Sequence, residues 1–252
     1  MQIHIVEDAA AGGVVVADEI QRVLERTGDR GPVLGLATGS SPLPAYQELI
    51  RRHREEGLSF ADARAFLLDE YVGLPDEHEQ SYHRFIRENL VSHIDLPEER
   101  VDSPDGTAAD PHAEAVAYDG RIRDAGGVDV QVLGIGSNGH IAFNEPGDNF
   151  GLGTHVVSLS ERTIDANQRF FESRDQVPRQ ALSMGIKSIM GARRILVVVS
   201  GEDKADAVCK AVTGPVTDQV PASVLQLHPD VTLVGDTAAL SKLKEAGVPV
   251  CG

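Results

Sequence analysis

Short runs of β-branched and aliphatic residues alternate along the chain with longer stretches whose apolar residues recur every three or four positions. The runs MQIHIV, VLGLA and AFLLDEY each precede an amphipathic stretch, and VDVQVLGIG, RILVVVSG and VTLVGD continue the alternation. This rhythm predicts strands joined by crossover helices, which connect parallel strands. We therefore expect the α/β class: a single catalytic domain over residues 1–252, with a mostly parallel, Rossmann-like open sheet and helices on both faces.

Composition and charge narrow the class of partner. The chain has 252 residues, 41% of them apolar, which suffices for one sizeable core. A net charge of -16 repels nucleic-acid backbones and anionic membranes, so we expect neither as a partner. Only Cys209 and Cys251 are present, and no apolar run has secretory or membrane-spanning length. These features indicate a cytoplasmic protein.

Polar loops after the predicted strands carry the candidate chemistry, because open α/β sheets bind ligands at the carboxyl ends of their strands. The strand VLGLA runs into four small residues: Thr38, Gly39, Ser40 and Ser41. Hydroxyl groups and backbone N–H groups at a helix N-terminus can bind a phosphate without formal charge. The loop lacks the lysine of a nucleotide-binding P-loop, and a capped tight turn is the alternative interpretation.

Two adjacent carboxylates, Asp69 and Glu70, follow directly on the next predicted strand. Neighbouring strand residues point in opposite directions, so one carboxylate can face a cleft while the other faces a partner in the fold. Apolar walls raise the pKa of a carboxyl toward the working range of a general base. Surface or helix-capping roles are the alternative.

The stretch GIGSNGHIAFNEPG, residues 134–147, begins with the G-x-G-x-x-G pattern of dinucleotide-binding proteins. That fingerprint requires a helix to begin at its third glycine, whereas the residues after Gly139 are dense in Gly, Asn and Pro. We predict no helix here and no dinucleotide cofactor. The glycines let a turning backbone approach a small ligand beside the titratable pair His140 and Glu145, unless the histidine is purely structural.

Lys204 is predicted to lie where a helix begins just past the strand RILVVVSG. A cation there opposes the helix dipole, and a bound anion would explain its presence. A solvated lysine beside Glu202 and Asp203 is the alternative. The nine histidines show no metal-ligand spacing, so we expect no metal.

Six segments occur in a characteristic order and spacing: VLGLATGSSP, LLDEYVGL, SYHRFIRENL, GIGSNGHIAFNEPG, NQRFFES and QVPRQALSMGI. Together they resemble the glucosamine-6-phosphate deaminase family along nearly the whole chain. The resemblance implies the deaminase and phosphosugar-isomerase type of α/β fold. It also implies cofactor-free conversion of glucosamine 6-phosphate and water to fructose 6-phosphate and ammonia. The expected partner is a phosphorylated aminosugar, and the protein would be a monomer or homo-oligomer.

The resemblance further implies roles for individual side chains. Asp69 would move a proton from C2 to C1 of the opened sugar, and His140, assisted by Glu145 and Asn138, would open the ring. The substrate-binding residues, phosphate ligands among them, would be Thr38, Gly39, Ser40, Ser41, Glu70, Arg169 and Lys204. Residues 158–174 would form a mobile lid.

Other functions remain open at this point. The same base and phosphate site would serve galactosamine 6-phosphate, or a related sugar-phosphate isomerase or lactonase, although GHIAFNEPG favours the deaminases over the 6-phosphogluconolactonases. A sugar-phosphate-sensing module belongs to a different class. It would need a DNA-binding segment, and the acidic charge opposes DNA.

Overall fold

The computed structural model describes residues 1–26, 30–147, 150, 152–168, 171–249 and 251. Within these residues, ten strands form two sheets. The strands are β1 (Gln2–Val6), β2 (Val33–Leu36), β3 (Arg64–Leu67), β4 (Asp69–Tyr71), β5 (Val101–Asp102), β6 (Val130–Leu133), β7 (His155–Ser158), β8 (Gln180–Ser183), β9 (Arg194–Val199) and β10 (Val231–Asp236). Seven of them form the main sheet in the order β1-β10-β9-β6-β2-β3-β5. Every neighbouring pair in it is parallel, which confirms the predicted mostly parallel sheet.

Helices and short helical turns connect these strands. The helices are α1 (Ala9–Leu24), α2 (Leu43–Glu56), α3 (Tyr82–Asn89), α4 (Pro111–Asp124), α5 (Glu161–Asn167), α6 (Ile186–Ile189), α7 (Ala205–Thr213) and α8 (Ser241–Glu245). Side chains of Asp8, Ser81 and Asp110 cap α1, α3 and α4 by accepting backbone N–H groups of the first turn. Every residue of β2 and β6 is buried, so both faces of the central sheet are covered, as the alternation of strands with crossover helices predicted.

A second sheet, with antiparallel strands in the order β4-β8-β7, begins where β3 ends. The change of sheet occurs at Leu68. Its N–H donates to Leu36 O of the main sheet (3.2 Å), and its carbonyl accepts from Met184 N (2.7 Å). The prediction that AFLLDEY forms a single strand is therefore wrong, because Leu68 divides this segment between two sheets.

The last described residue, Cys251, lies beside β1. Its N–H donates to Ile3 O (2.7 Å) and its carbonyl accepts from Ile5 N (2.8 Å), so Cys251 pairs with β1 through a single parallel bridge. No helix among the described residues is long and apolar enough to cross a membrane.

Candidate active site

A cavity of about 430 Å³ lies at the carboxyl ends of the main-sheet strands. Its walls come from the segments that follow β2, β3, β6 and β9, the edge at which open parallel sheets bind ligands. Six predicted site residues line it: Thr38, Asp69, Asn138, His140, Glu145 and Lys204. The topology thus brings together in one cavity residues as distant in the sequence as Thr38 and Lys204.

Asp69 is the buried carboxylate of this cavity, with 7% of its surface exposed. Leu68 and Tyr82 line the same cavity, and so little of Asp69 is exposed that few water molecules can solvate its charge. Burial, with the negative charge of Glu70 as a second cause, raises the pKa of Asp69 to about 8. A carboxylate with such a pKa accepts a proton far more readily than an exposed one at neutral pH.

Glu70 points away from the cavity and is fully buried. Its Oε1 accepts hydrogen bonds from Tyr71 N (2.8 Å) and Tyr82 N (3.1 Å). Its Oε2 accepts from Ser81 Oγ (2.9 Å) and His83 N (3.0 Å). Burial raises the pKa of Glu70, and these four hydrogen bonds oppose the rise by stabilising the ionised form. Glu70 therefore acts as a cap of α3, outside the residues that line the cavity, and its role in substrate binding stays a prediction.

Asn138, His140 and Glu145 form one hydrogen-bonded unit on the loop after β6. Asn138 Nδ2 donates to Glu145 Oε2 (2.6 Å), and Asn138 Oδ1 accepts from the backbone N–H of His140 (3.1 Å). Glu145 Oε1 lies 3.4 Å from His140 Nδ1. An amide can donate to one partner and accept from another without changing its protonation, so Asn138 connects the carboxylate of Glu145 to the backbone of His140.

Glycine is required under the imidazole of His140. A Cβ at Gly136 would lie 2.2 Å from His140 Cε1, and Gly136 N donates to His140 O (2.9 Å). Gly139 has φ +91°, and a Cβ there would lie 2.8 Å from Val220 Cγ1. No helix begins in this loop, which confirms that its G-x-G-x-x-G pattern does not adopt the dinucleotide-binding structure.

The loop after β2 places only one of its four predicted ligands in the wall of the cavity. Thr38 lines the cavity, Gly39 and Ser40 are exposed, and Ser41 is half-buried in front of α2. Gly39 has φ +89°, a conformation that favours glycine, and it turns the chain from the strand into the helix.

Lys204 supplies a positive charge to the cavity. It occupies the N-cap position of α7, as predicted, with its Nζ 3.4 Å from Asp203 Oδ2. The predicted ligand Arg169 lies outside the described residues. Around the cavity and elsewhere in the described ranges, no three His, Cys, Asp or Glu side chains are grouped so as to hold a metal ion.

Comparison with known proteins agrees with this geometry. A family model described as glucosamine-6-phosphate isomerases/6-phosphogluconolactonase matches residues 7–234. The chain belongs to this family. Its members include the glucosamine-6-phosphate deaminase of Corynebacterium kroppenstedtii, which is 54% identical over 88% of this chain and 86% of its own length. The deaminase of Rhodococcus jostii is 52% identical over 98% of this chain and 94% of its own.

Solved structures of the family extend the comparison to the fold. A monomeric glucosamine-6-phosphate deaminase superposes with a TM-score of 0.91 at 42% identity, covering 96% of this chain and 99% of its own. The 6-phosphogluconolactonase of Trypanosoma cruzi superposes with a TM-score of 0.74 at 21% identity, with 96% of each chain covered, and shares the fold. The resemblance noted in the sequence is thus confirmed, on the deaminase side of the family.

Several cavity residues of this family member were not singled out from the sequence. Tyr82 and Phe143 form an aromatic wall, with ring centroids 6.2 Å apart and planes 11° from parallel. Ser160 and Thr163 contribute hydroxyl groups that lie 2.8 Å from each other. Tyr82 lies within the segment SYHRFIRENL and Phe143 within GIGSNGHIAFNEPG, so their motifs were noticed but their side chains were not.

The expected lid, residues 158–174, contains α5 and closes one side of the cavity through Ser160 and Thr163. Arg174 pairs with Asp165 (2.8 Å) and with Glu161 on this helix. Movement of the lid stays a prediction.

Proposed function

We propose that this chain is a glucosamine-6-phosphate deaminase, an enzyme of amino-sugar catabolism that converts glucosamine 6-phosphate and water to fructose 6-phosphate and ammonia. Relatives of that name at about half identity support the proposal. One structural observation carries it: a buried carboxylate with raised pKa, Asp69, shares a cavity with a histidine–glutamate pair and a lysine. An aldose–ketose conversion of a phosphorylated sugar needs a base that moves the proton, a group that opens the ring and a cation that binds the phosphate.

Ring opening is assigned to His140. The imidazole takes the proton of the C1 hydroxyl and delivers a proton to the ring oxygen, and the pyranose opens to an aldehyde. Glu145, 3.4 Å from Nδ1, stabilises the imidazolium that forms between the two transfers. Asn138 holds the carboxylate of Glu145 and binds the backbone of His140.

Proton transfer between carbons is assigned to Asp69. The aldehyde at C1 acidifies the C2 proton, which the ionised carboxylate removes while the electron pair moves into an enol, whose oxygen takes a proton from the substrate's ammonium group. Asp69 returns the proton to C1, and the nitrogen lone pair gives an iminium at C2. Water adds to C2 and ammonia leaves, so the step needs no oxidant or reductant. The pKa of about 8 allows Asp69 to act in both directions of transfer.

Phosphate binding is assigned to Thr38 and Lys204 in the cavity wall, together with Gly39, Ser40 and Ser41 at the start of α2 and with Arg169. A local cation is needed because the chain as a whole carries a charge of -16.

The test is a comparison of substrates with the purified protein. We expect ammonia and fructose 6-phosphate in equal amounts from glucosamine 6-phosphate, without added metal or nucleotide and in the presence of a chelator. Galactosamine 6-phosphate and a phosphorylated gluconolactone are assayed in parallel. Faster turnover of either, or no ammonia from any, would refute the proposal.

We also propose a cytoplasmic protein that binds neither nucleic acid nor membranes and works as a monomer. The acidic charge supports the absence of nucleic-acid and membrane binding, and the free thiols Cys209 and Cys251 suit a reducing compartment. The similar solved deaminase is monomeric, which supports the monomer. Light scattering at working concentration tests it, and a dimer mass would contradict it.

A further inference from the structure

The end of β8 is joined to the strand that carries the proposed base. Ser183 pairs with Asp69 in the antiparallel β4–β8 ladder. The next residue, Met184, donates its N–H to Leu68 O at 2.7 Å, directly before Asp69. The backbone around Asp69 is thus held by Ser183 and Met184 from its neighbouring strand.

The same two residues hold the loop that carries His140 and Glu145. Ser183 Oγ accepts the backbone N–H of Phe143 (3.1 Å). Met184 O accepts Asn144 Nδ2 (2.9 Å), and that amide also donates to Ile141 O (2.9 Å). Ser183 and Asn144 have no exposed surface and Met184 has 1%, so water cannot replace these bonds.

The turn that they hold has an unfavourable backbone. Ala142, between Ile141 and Phe143, has φ +50°, a region that residues with a Cβ rarely adopt. Such a conformation persists where surrounding contacts impose it. Ala142 and Phe143 line the cavity, so a relaxation of this turn would displace the loop between His140 and Glu145.

We propose that Ser183 is a positioning residue of this active site. Its hydroxyl fixes the turn at Phe143 in register with the strand of Asp69, and so sets the spacing between the proton-transfer base and the ring-opening pair. Asn144 is the second connection. The proposal rests on the proposed function, which gives Asp69 and His140 consecutive steps on one substrate. Ser183 itself lies outside the cavity wall and touches no substrate.

The first measurement uses Ser183→Ala, which leaves the buried Phe143 N–H without its acceptor. We expect kcat to fall by about ten- to a hundredfold, the usual effect of small misplacement of reacting groups. KM should change by less than about threefold, since Thr38 and Lys204 lie in segments that follow other strands, β2 and β9. The number of folded active sites is measured by calorimetry with an unreactive analogue, the substrate whose aldehyde has been reduced to an alcohol. Each kcat is then expressed per binding site, so unfolded protein does not contribute.

The second measurement separates positioning from a general structural effect. Ser183→Ala is combined with His140→Gln and, separately, with Lys204→Ala. In the His140→Gln background, where ring opening is already lost, Ser183→Ala should lower kcat further by less than about twofold. In the Lys204→Ala background it should lower kcat by the same ten- to hundredfold as in the wild type. Equal factors in both backgrounds would overturn the proposal.

Two further variants complete the design. Ser188→Ala removes another serine hydroxyl, which donates to Asp119 (2.8 Å), and should leave kcat per site unchanged. Asn144→Asp removes both amide donors and is measured in the same way, so the test stands even where Ser183→Ala does not fold. Wild-type kcat per site in both Ser183→Ala and Asn144→Asp would overturn the inference. Absence of wild-type deamination would instead refute the proposed function.

Discussion

The substitution Asp69→Asn should stabilise the protein increasingly as the pH rises. Burial and the charge of Glu70 raise the pKa of Asp69 from 3.8 to about 8 in the folded chain. Between these values the unfolded chain releases the proton that the folded chain keeps, so the wild type loses stability as pH increases through this window. Asparagine does not titrate, so the Asp69→Asn variant does not lose this stability as the pH rises.

The magnitude follows from the two pKa values. Each pKa unit corresponds to about 1.4 kcal/mol, so burial of the Asp69 carboxyl lowers the stability of the fold by about 1.7 kcal/mol at pH 5 and by about 5.7 kcal/mol at pH 9. Burial of the uncharged amide in the variant contributes equally at both pH values and cancels in the comparison between them. The free energy of unfolding of the variant relative to wild type should therefore rise by about 4 kcal/mol between pH 5 and pH 9.

The measurement is urea unfolding at pH 5, 7 and 9, with wild type, Asp69→Asn and Asp62→Asn compared at each pH. Asp62 is an exposed aspartate, and its substitution controls for the general effect of removing one negative charge. A difference between wild type and Asp69→Asn that stays the same at all three pH values would refute the argument that burial of Asp69 sets its pKa.

Three further outcomes follow from the site. The kcat/KM of the wild type should rise with pH up to about 8, because Asp69 must be ionised to act as a base. Asp69→Asn should lower kcat by about a hundredfold or more. A flat pH profile of kcat/KM between pH 6 and 9 would exclude Asp69 as the base. Lys204→Ala should raise KM by about tenfold or more with little change in kcat, as steady-state kinetics would show, whereas Lys210→Ala on the exposed side of α7 should change neither. Gly136→Ala should abolish most activity while circular dichroism stays native, because its Cβ would lie 2.2 Å from the imidazole of His140; normal turnover would contradict the observed packing.

Features set by neighbouring residues could be predicted from the sequence. The alternation of apolar runs and amphipathic stretches predicted the parallel sheet, because parallel strands need crossover connections, which are commonly helices. The Gly, Asn and Pro residues after Gly139 predicted a turning loop where a dinucleotide site needs a helix. Lys204 was placed at a helix start from its position after RILVVVSG.

Features set by contacts between distant segments could not be predicted from the sequence. Leu68 leaves the main sheet because Met184, more than a hundred positions away, binds its carbonyl, and no local pattern distinguishes it from its strand neighbours. The change of sheet directs Asp69 to the cavity and Glu70 to α3, although both are acidic residues of one apolar segment.

The sequence by itself therefore determined the alternation of strands, helices and polar loops that builds the main sheet, since periodicity and turn chemistry act over a few residues. Only the tertiary structure decided which carboxylate is buried beside the cavity, and with it the pKa of about 8 that suits Asp69 to proton transfer. The physical reason is that desolvation depends on everything packed around a charge, here β8 and Tyr82, and these segments meet Asp69 only in the folded chain.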